Sequence, residues 1–274
     1  MKENSHRFGV ELDSITAQVA KYANPGAAIL NKGFEKSHFP DGSFDLSISN
    51  VPFGNFVVND KRYEDSYLIH DYFLKRMMDQ TRPGGLVAVI TSAGTMDKKG
   101  TSLREEMARK GELVRAIRFP NSVFKGAGTE TVSDLLIFQK REKELGIGEK
   151  LPDWVHSAER VETEYTPRGC QVEKRYMENP YFLNHPQDIL GDPEVVSTPW
   201  GYRLDVKPKY RTAEGSETAV EEVPVEELLS EALSTLPKAY APLETSLPVP
   251  AEEPVFEGNV PYGFYFDKKE IVYL

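Results

Sequence analysis

A short polar and aromatic segment follows an alternating apolar stretch in the first quarter of the chain. Residues 44–56 read FDLSISNVPFGNF, and the alternation of apolar and polar residues ends at Asn50. An asparagine oxygen, the next backbone carbonyl and the ring of Phe53 could present two hydrogen-bond acceptors and a flat surface to an amine. Asparagine, proline and glycine also form turns, so the same segment could be a turn without any chemistry.

The tetrapeptide NVPF (residues 50–53) resembles the Asn-Pro-Pro-Tyr/Phe signature of S-adenosylmethionine-dependent amino-group methyltransferases, especially the adenine-N6 DNA methyltransferases. The resemblance implies that the Asn50 side chain and the Val51 carbonyl accept hydrogen bonds from the adenine amine, which localises the nitrogen lone pair. It also implies that Phe53 stacks on a flipped-out base and that Pro52 stiffens the backbone. Val51 departs from the signature, but any residue supplies the carbonyl required there.

The same resemblance implies three cofactor contacts. FGVELD is similar to a family strand whose terminal acid accepts hydrogen bonds from ribose hydroxyls, and Glu11 occupies that position. An acid there could also belong to the amino terminus of a helix. In KGFEKSHF, Gly33 replaces the acid that often precedes an aromatic residue in the family, and Glu35 follows one position late. Phe34 then packs either on the cofactor adenine or in the protein core.

The resemblance continues over residues 7–142. The segment that begins with the Pro-Gly-Gly turn at residues 83–85 is similar to the second half of Type I modification subunits. It is more similar still to large methylase-helicase proteins of bacterial mobile elements. Two later segments, NPYFLNHPQDILG and WGYRLDVKP, also resemble pieces of the mobile-element proteins. This length of similarity favours DNA as the substrate and S-adenosylmethionine as the cofactor.

The glycine-rich turn that ends the first cofactor strand of the family has no counterpart in the sequence. We therefore expect the first strand to lie outside this chain, which would expose two strand edges and remove half of the cofactor pocket. The chain would then be a fragment of a longer methylase-helicase, be completed by another polypeptide or a second copy, or be a remnant without methyl transfer. We expect low or no activity from the chain alone.

Strands and helices alternate over the first 140 residues, which predicts an α/β fold with a Rossmann-like methyltransferase sheet. The sheet is expected to be incomplete at its first strand and to carry an antiparallel pair, 112–120 and 133–141, at one edge. The weakly periodic region after it predicts an irregular α+β structure. We divide the chain into a partial methyltransferase domain (1–145), an accessory region ending in an amphipathic helix (146–236), and a proline-rich linker with a terminal hairpin (237–274).

Composition limits the function classes. The formal net charge is −10 over 274 residues, and it arises in the second half, because residues 1–150 carry +2 and residues 151–274 carry −12. The first half could therefore approach a polyanion without strong repulsion. The single cysteine, Cys170, has no metal-ligand spacing around it, and no apolar run or signal peptide is present, which predicts a cytoplasmic protein without a metal site.

Two other readings remain open at this stage. The same signature serves RNA-adenine and protein-glutamine methyltransferases, and the methylase scaffold could instead serve as a non-catalytic module that holds nucleic acid or a protein partner. Several basic residues could line a phosphate path or form a solvated surface; they are Lys98, Lys99, Arg104, Arg115 and Arg118. His70, in the helix pattern SYLIHDYF, is expected to be a packed or capping histidine.

Overall fold

The computed structural model describes residues 6–64, 66–165, 169–212 and 220–236, and the backbone alone of 264–267 and 270–273. Its first half alternates strands and helices, as the sequence predicts. The elements are β1 (Arg7–Glu11), α1 (Ser14–Ala23), β2 (Ala27–Asn31), β3 (Phe44–Asn50), β4 (Val57–Val58), β5 (Tyr67–Leu68), α2 (Ile69–Gln80), β6 (Thr81–Ser92), α3 (Gly94–Asp97), α4 (Ser102–Lys110), β7 (Gly111–Phe119) and β8 (Ser133–Lys140). Asp13 caps α1 by accepting the Thr16 N–H at 2.7 Å.

A four-stranded mixed sheet forms the centre of the molecule, in the order β3-β6-β8-β7. Strands β3 and β6 are parallel, and β8 is antiparallel to both of its neighbours. The predicted antiparallel pair at the edge is therefore confirmed. Because β3 and β6 are parallel, their carboxyl ends, at Asn50 and Ser92, lie at the same edge of the sheet.

The strands of the first half do not form one continuous sheet. Strands β1 and β2 pair in parallel with each other and, among the described residues, make up a separate two-stranded sheet. The rings of Phe8 and Phe44, near the starts of β1 and β3, lie 5.8 Å apart, so the two strands begin at the same end. A cavity of about 270 Å³ lies between them, lined by Gly9 and Val10 on one side and by residues 46–49 on the other. The expected incompleteness of the sheet thus appears as a groove between β1 and β3.

Apolar side chains next to this groove are exposed. Leu46 and Ile48 are 48% and 73% exposed, although they belong to β3, the edge strand of the central sheet. The apolar face that the pattern assigns to α1 is also uncovered, with Ile15, Val19 and Tyr22 at 60–88% exposure. An amphipathic helix normally buries such a face. Within the described residues, the unit contacts the rest of the domain through the Phe8 ring, which lies against Phe39 and Phe44, whereas this face of α1 stays uncovered.

Both faces of the central sheet are covered. Helices α2 and α4 pack on one face through a cluster of buried residues that includes Leu74, Met78, Val87, Val89, Leu103, Met107, Leu136 and Phe138. The other face is covered by α6 (Val225–Ser234), whose Ala232 packs with Ile117 and Phe119 of β7. The predicted amphipathic helix near residue 225 is confirmed, and it supplies the second layer over β6 and β7.

The Pro-Gly-Gly segment ends α2 as predicted but does not form a loop. Strand β6 runs through it from Thr81, and the pairing with β3 shifts register between Phe44 and Leu46. A side chain at Gly85 would place a Cβ 2.9 Å from the Asp45 carbonyl, so only glycine allows the two strands to approach there. The segment is a bulge within the sheet.

The accessory region is more regular than its weak periodicity suggests. It contains β9 (Ala158–Tyr165), β10 (Gln171–Glu178), α5 (Pro180–Asn184), β11 (Asp192–Thr198), β12 (Gly201–Lys207), β13 (Tyr210–Thr212) and β14 (Val220–Glu222), paired as three antiparallel hairpins. All of β9 is exposed, and ion pairs such as Lys174–Glu164 and Arg175–Glu159 connect it to β10. Because β9 has no buried apolar face, an alternation of apolar and polar residues could not indicate it.

The terminal hairpin is confirmed in the backbone, where β15 (Phe264–Asp267) pairs antiparallel with β16 (Glu270–Tyr273). The predicted linker at 237–263 lies outside the described residues. Within the described part of the chain, no helix is both long and apolar enough to cross a membrane.

Candidate active site

Asn50 is the last residue of β3 and lies at the carboxyl edge of the central sheet, opposite Ile90 of β6. Its side chain is exposed. The next residue is fixed in place, because the Val51 N–H donates to the Ile90 carbonyl at 3.0 Å and the Val51 side chain is 2% exposed. The departure from proline at this position therefore adds an apolar anchor that holds the segment against the core.

The segment after Val51 turns outward. Pro52 is exposed and Phe53 is 36% exposed, so the ring is available to a planar group from outside. A Cβ at Gly54, the residue after the motif, would lie 2.6 Å from the exposed Phe56 ring, so a side chain there would require that ring to move. The loop is then closed by the β4–β5 pair and by the Ile69 N–H, which donates to the Phe56 carbonyl at 3.0 Å. Both ends of the motif are thus held by backbone hydrogen bonds.

His70 supports the exit of the loop. It is the second residue of α2, and its half-buried ring faces the Gly54 backbone. Its Nε2 lies 3.3 Å from Asp71 Oδ1, and Asp71 Oδ2 accepts from the Lys98 ammonium at 2.7 Å. Lys98 directly follows α3, which begins just beyond the end of β6. The three residues therefore connect the loop after β3 to the turn after β6. The prediction of a packed histidine is correct, but nothing in the sequence beyond two adjacent titratable residues indicates this network.

We expect the free energy of unfolding to fall as the pH decreases from 7.5 to 5.5, in part because of His70. Burial lowers the pKa of His70, and Lys98 acts in the same direction, whereas Asp71 and the Gly54 backbone oppose the shift. The unfolded histidine, with a pKa of about 6.5, then binds its proton at a higher pH than the folded one does. The stability contributed by the neutral ring is present above that pH and is lost as the pH falls through the folded pKa.

Urea denaturation at several pH values measures this contribution. His70→Asn should make the unfolding free energy depend less on pH, whereas the same substitution at the exposed His38 should not. Equal pH dependence in the wild type and His70→Asn would show that the ring takes up its proton as easily in the folded chain as in the unfolded one.

Glu11 lies at the carboxyl end of β1, where the implied cofactor contact requires an acceptor. Its Oε1 accepts from the Asp13 N–H at 2.8 Å, and its carbonyl accepts from the Asn31 side chain at 2.9 Å. The capping of α1 belongs to Asp13, so Glu11 is not the acid of the first helical turn. The carboxylate is therefore oriented at the strand end with acceptor capacity remaining on Oε2.

Phe34 and Glu35 lie in a 3-10 turn at Phe34–Lys36 and separate in space. The Phe34 ring packs 4.8 Å from the ring of Phe73 and lines the groove between β1 and β3. The predicted packing in the core is confirmed, because Phe34 lies against the buried cluster of the domain, and its contact with a cofactor stays a prediction. Glu35 folds back over Gly33 and lines a different, outer cavity with His38 and Asp60.

Three of the basic residues considered for a phosphate path are structural. Arg104 and Arg118 are 2% and 0% exposed, and Arg115 Nη2 lies 2.7 Å from Asp188 Oδ1. Arg104 donates to the carbonyls of Thr95, Lys98 and Val155 at 2.7–2.9 Å. These three arginines therefore neither line a phosphate path nor form a solvated surface. The residues around these arginines in the sequence do not distinguish them from surface arginines. Only the tertiary structure could show that they are buried.

The comparison with known families now decides the identity of this domain. Residues 4–160 match the family model described as N-6 DNA Methylase. The chain belongs to this family. S-adenosylmethionine is the methyl donor that the family implies, and the exposed Asn50 lies within the matched residues of this family member.

The known relatives below each match only part of this chain. It is 32% identical over 148 residues to "Defense against restriction protein B" of Escherichia phage P1, a match that covers 52% of this chain and 6% of the phage protein. The M protein of the Type I restriction enzyme EcoKI is 14% identical over 84% of this chain and 58% of its own, with a TM-score of 0.42. The methyltransferase subunit of a Type I restriction-modification system from Streptococcus thermophilus is 17% identical, covering 49% of this chain and 34% of its own, with a TM-score of 0.40. The chain thus spans a small part of the phage relative.

Proposed function

We propose that this chain supplies the target-base half of a DNA adenine-N6 methyltransferase. The observation that carries the proposal is the arrangement at the end of β3. There an exposed Asn50 amide and an exposed Phe53 ring flank a backbone that Val51 holds rigidly against β6. Because the loop is held at both ends, its two acceptors are already ordered before the base binds. Binding therefore does not carry the entropy cost of ordering them.

In the proposed reaction, the Asn50 side-chain oxygen and the Val51 carbonyl accept hydrogen bonds from the two N–H bonds of the adenine amine. Those bonds favour a tetrahedral nitrogen whose lone pair can attack. Phe53 stacks on the base, which must leave the duplex to reach the loop. The bound S-adenosylmethionine would supply an electrophilic methyl group on a sulfonium. On the cofactor side, Glu11 would hold the ribose hydroxyls and Phe34 would contact the adenine ring.

The residues present fit only part of the cofactor. Glu11 offers a carboxylate at a strand end, which suits two vicinal hydroxyls, and the groove beside it is open. We infer that a further strand occupies the groove between β1 and β3, because both flanking strands leave an edge unpaired in the described residues and Ile48 beside it is exposed. A parallel strand there would join the two sheets. It could come from a longer form of this protein, a complementary polypeptide or a second copy.

Cofactor binding and methyl transfer test the proposal together. The chain would be prepared alone and fused at its amino terminus to an apolar strand, a glycine-rich turn and a crossover helix that leads into β1; the matched control carries two prolines in that strand. We expect calorimetric titration with S-adenosylmethionine to show binding by the fused form, and labelled methyl groups to appear on N6 of adenine in DNA. The chain alone and the proline control should show little of either.

The alternatives are outcomes of the same assay. Labelled product on RNA or on a glutamine-containing peptide, with none on DNA, would replace the proposed substrate. A fused form that folds but gives no heat with S-adenosylmethionine would favour the non-catalytic module.

A further inference from the structure

A second cavity lies at the carboxyl edge of the central sheet, away from the groove. It has a volume of about 400 Å³ and is bordered by the end of β6, the turn into α3 and the loop before β8. Its outer wall is formed by the accessory hairpins β9–β10 and β11–β12. We call this cavity the flank cleft; its lining residues are Ser92, Ala93, Gly94, Asp97, Lys98, Thr131, Val132, Met177, Tyr202, Arg203 and Leu204. The cleft and the target-base loop lie at the same edge of the sheet, because Asn50 pairs with Ile90, two residues before Ser92.

One cation in the flank cleft, Arg203, has no acidic partner among the described residues. Lys98 is paired with Asp71, and the Asp97 carboxylate is occupied by Arg118 and by the Asn179 N–H. Arg203 is exposed, and in the part of the chain that the structure describes no carboxylate lies within ion-pair distance of it. Two other basic residues of the same region are paired, since Lys207 pairs with Asp205 and Arg211 pairs with Glu221. An uncompensated guanidinium in an acidic half of the chain is available to an external anion.

The hairpin that carries Arg203 also presents an aromatic side chain. Trp200 lies in the turn between β11 and β12 and is 96% exposed, while the other tryptophan, Trp154, is 9% exposed. Hydroxyl groups of Ser92, Thr131 and Tyr202 add possible hydrogen bonds within the cleft. A guanidinium, hydroxyls and an exposed indole form a surface that suits a phosphodiester and its nucleoside.

We propose that the flank cleft binds a phosphodiester of the DNA strand beside the target adenine, with Arg203 as the phosphate ligand and Trp200 against the adjacent nucleotide. The inference rests on the proposed function, since it gives the accessory hairpin a part in holding the same substrate. It also assigns a role to WGYRLDVKP, a segment that the methylase signature leaves unexplained. Backbone contacts of this kind fix the position of the duplex without reading its sequence.

Fluorescence anisotropy with a labelled 20-base-pair duplex containing adenines tests Arg203. We expect Arg203→Ala to weaken binding roughly three- to tenfold at low salt and to reduce the slope of log affinity against log salt concentration by about 0.9. Arg203→Lys should retain most of the salt slope because it keeps the charge. The matched control is Lys209→Ala, which removes another exposed charge six positions along the chain and outside the cleft. Equal affinity and slope for Arg203→Ala and Lys209→Ala would overturn the proposal, as would a wild-type chain that does not bind the duplex.

Tryptophan fluorescence provides an independent measurement on the same protein. DNA should quench the emission of Trp200, and the quenching should disappear in Trp200→Phe, which leaves only the buried Trp154. Quenching that persists in Trp200→Phe would place the nucleotide elsewhere. Asn50→Ala separates this inference from the proposed function. It should bind the duplex with the wild-type salt slope even if the chain transfers no methyl group, because a phosphate contact does not require the amine acceptor.

Discussion

Replacing Arg118 by methionine is expected to lower the free energy of unfolding by about 3–5 kcal/mol, because it leaves buried carboxylates without their cation. Arg118 is 0% exposed, and its Nε and Nη2 donate to the two oxygens of Asp134 at 2.8 and 2.9 Å. Its Nη1 lies 2.9 Å from Asp97 Oδ2 in an ion pair without hydrogen-bond geometry. The guanidinium also lies 4.0 Å from the centre of the Phe182 ring. Arg118 thus joins β7 and β8 to α3 and to the accessory region.

Urea denaturation at neutral pH measures the loss. Two further variants test whether the loss comes from the buried carboxylates that Arg118 pairs with. Arg118→Met combined with Asp134→Leu should recover part of the stability, since one unpaired carboxylate is removed together with its cation. Arg175→Met, which breaks exposed ion pairs with Glu159 and Glu173, should lower the free energy of unfolding far less than Arg118→Met does, because solvent screens exposed charges. Similar losses for Arg118→Met and Arg175→Met would mean that Arg118 is solvated in solution.

Replacing Asn50 by alanine is expected to reduce the turnover of methyl transfer about 10²- to 10³-fold in the form of the protein that carries its complementing strand. The amide oxygen is one of two acceptors proposed to hold the target amine, and alanine cannot replace it. Because Phe53 and the Val51 carbonyl remain, DNA should still bind and the KM for DNA should change little. Steady-state kinetics with labelled S-adenosylmethionine separates the two constants.

The matched control is Asn55→Ala, which removes another exposed amide five positions further along the same loop. We expect it to retain most of the turnover. Equal losses in Asn50→Ala and Asn55→Ala would indicate a general disturbance of the loop. Full turnover in Asn50→Ala would remove the residue from the target-amine site.

Local patterns in the sequence predicted much of the first half of the fold. Alternating apolar residues indicated β3, and the helix patterns indicated α1, α2 and α4. Asp13, directly before α1, is of a residue type that commonly caps helices, and it caps α1. These features depend on neighbouring residues, so they are visible in the sequence alone. The NVPF segment was also recognisable, because a backbone turn and an exposed amide require few residues.

The placement of the candidate site residues follows from the same local rules only in part. Asn50 and Glu11 each end a strand, which the sequence indicated. The support given by His70 and Lys98 could not be predicted, because those residues are 28 positions apart and meet only when α2 and α3 pack at one edge of the sheet. Phe34 and Glu35 are adjacent in sequence but face different cavities, since the 3-10 turn points their side chains apart.

The sequence by itself determined the strand-end acceptors, the family and the order of the elements, because these depend on residue type and short spacing. Only the tertiary structure decided that Arg104 and Arg118 are buried and that α6 covers the second face of the sheet. Each of these depends on contacts between residues far apart in the chain. Burial and strand pairing depend on which elements pack together. A sequence pattern predicts them only when the residues in contact are also close in sequence.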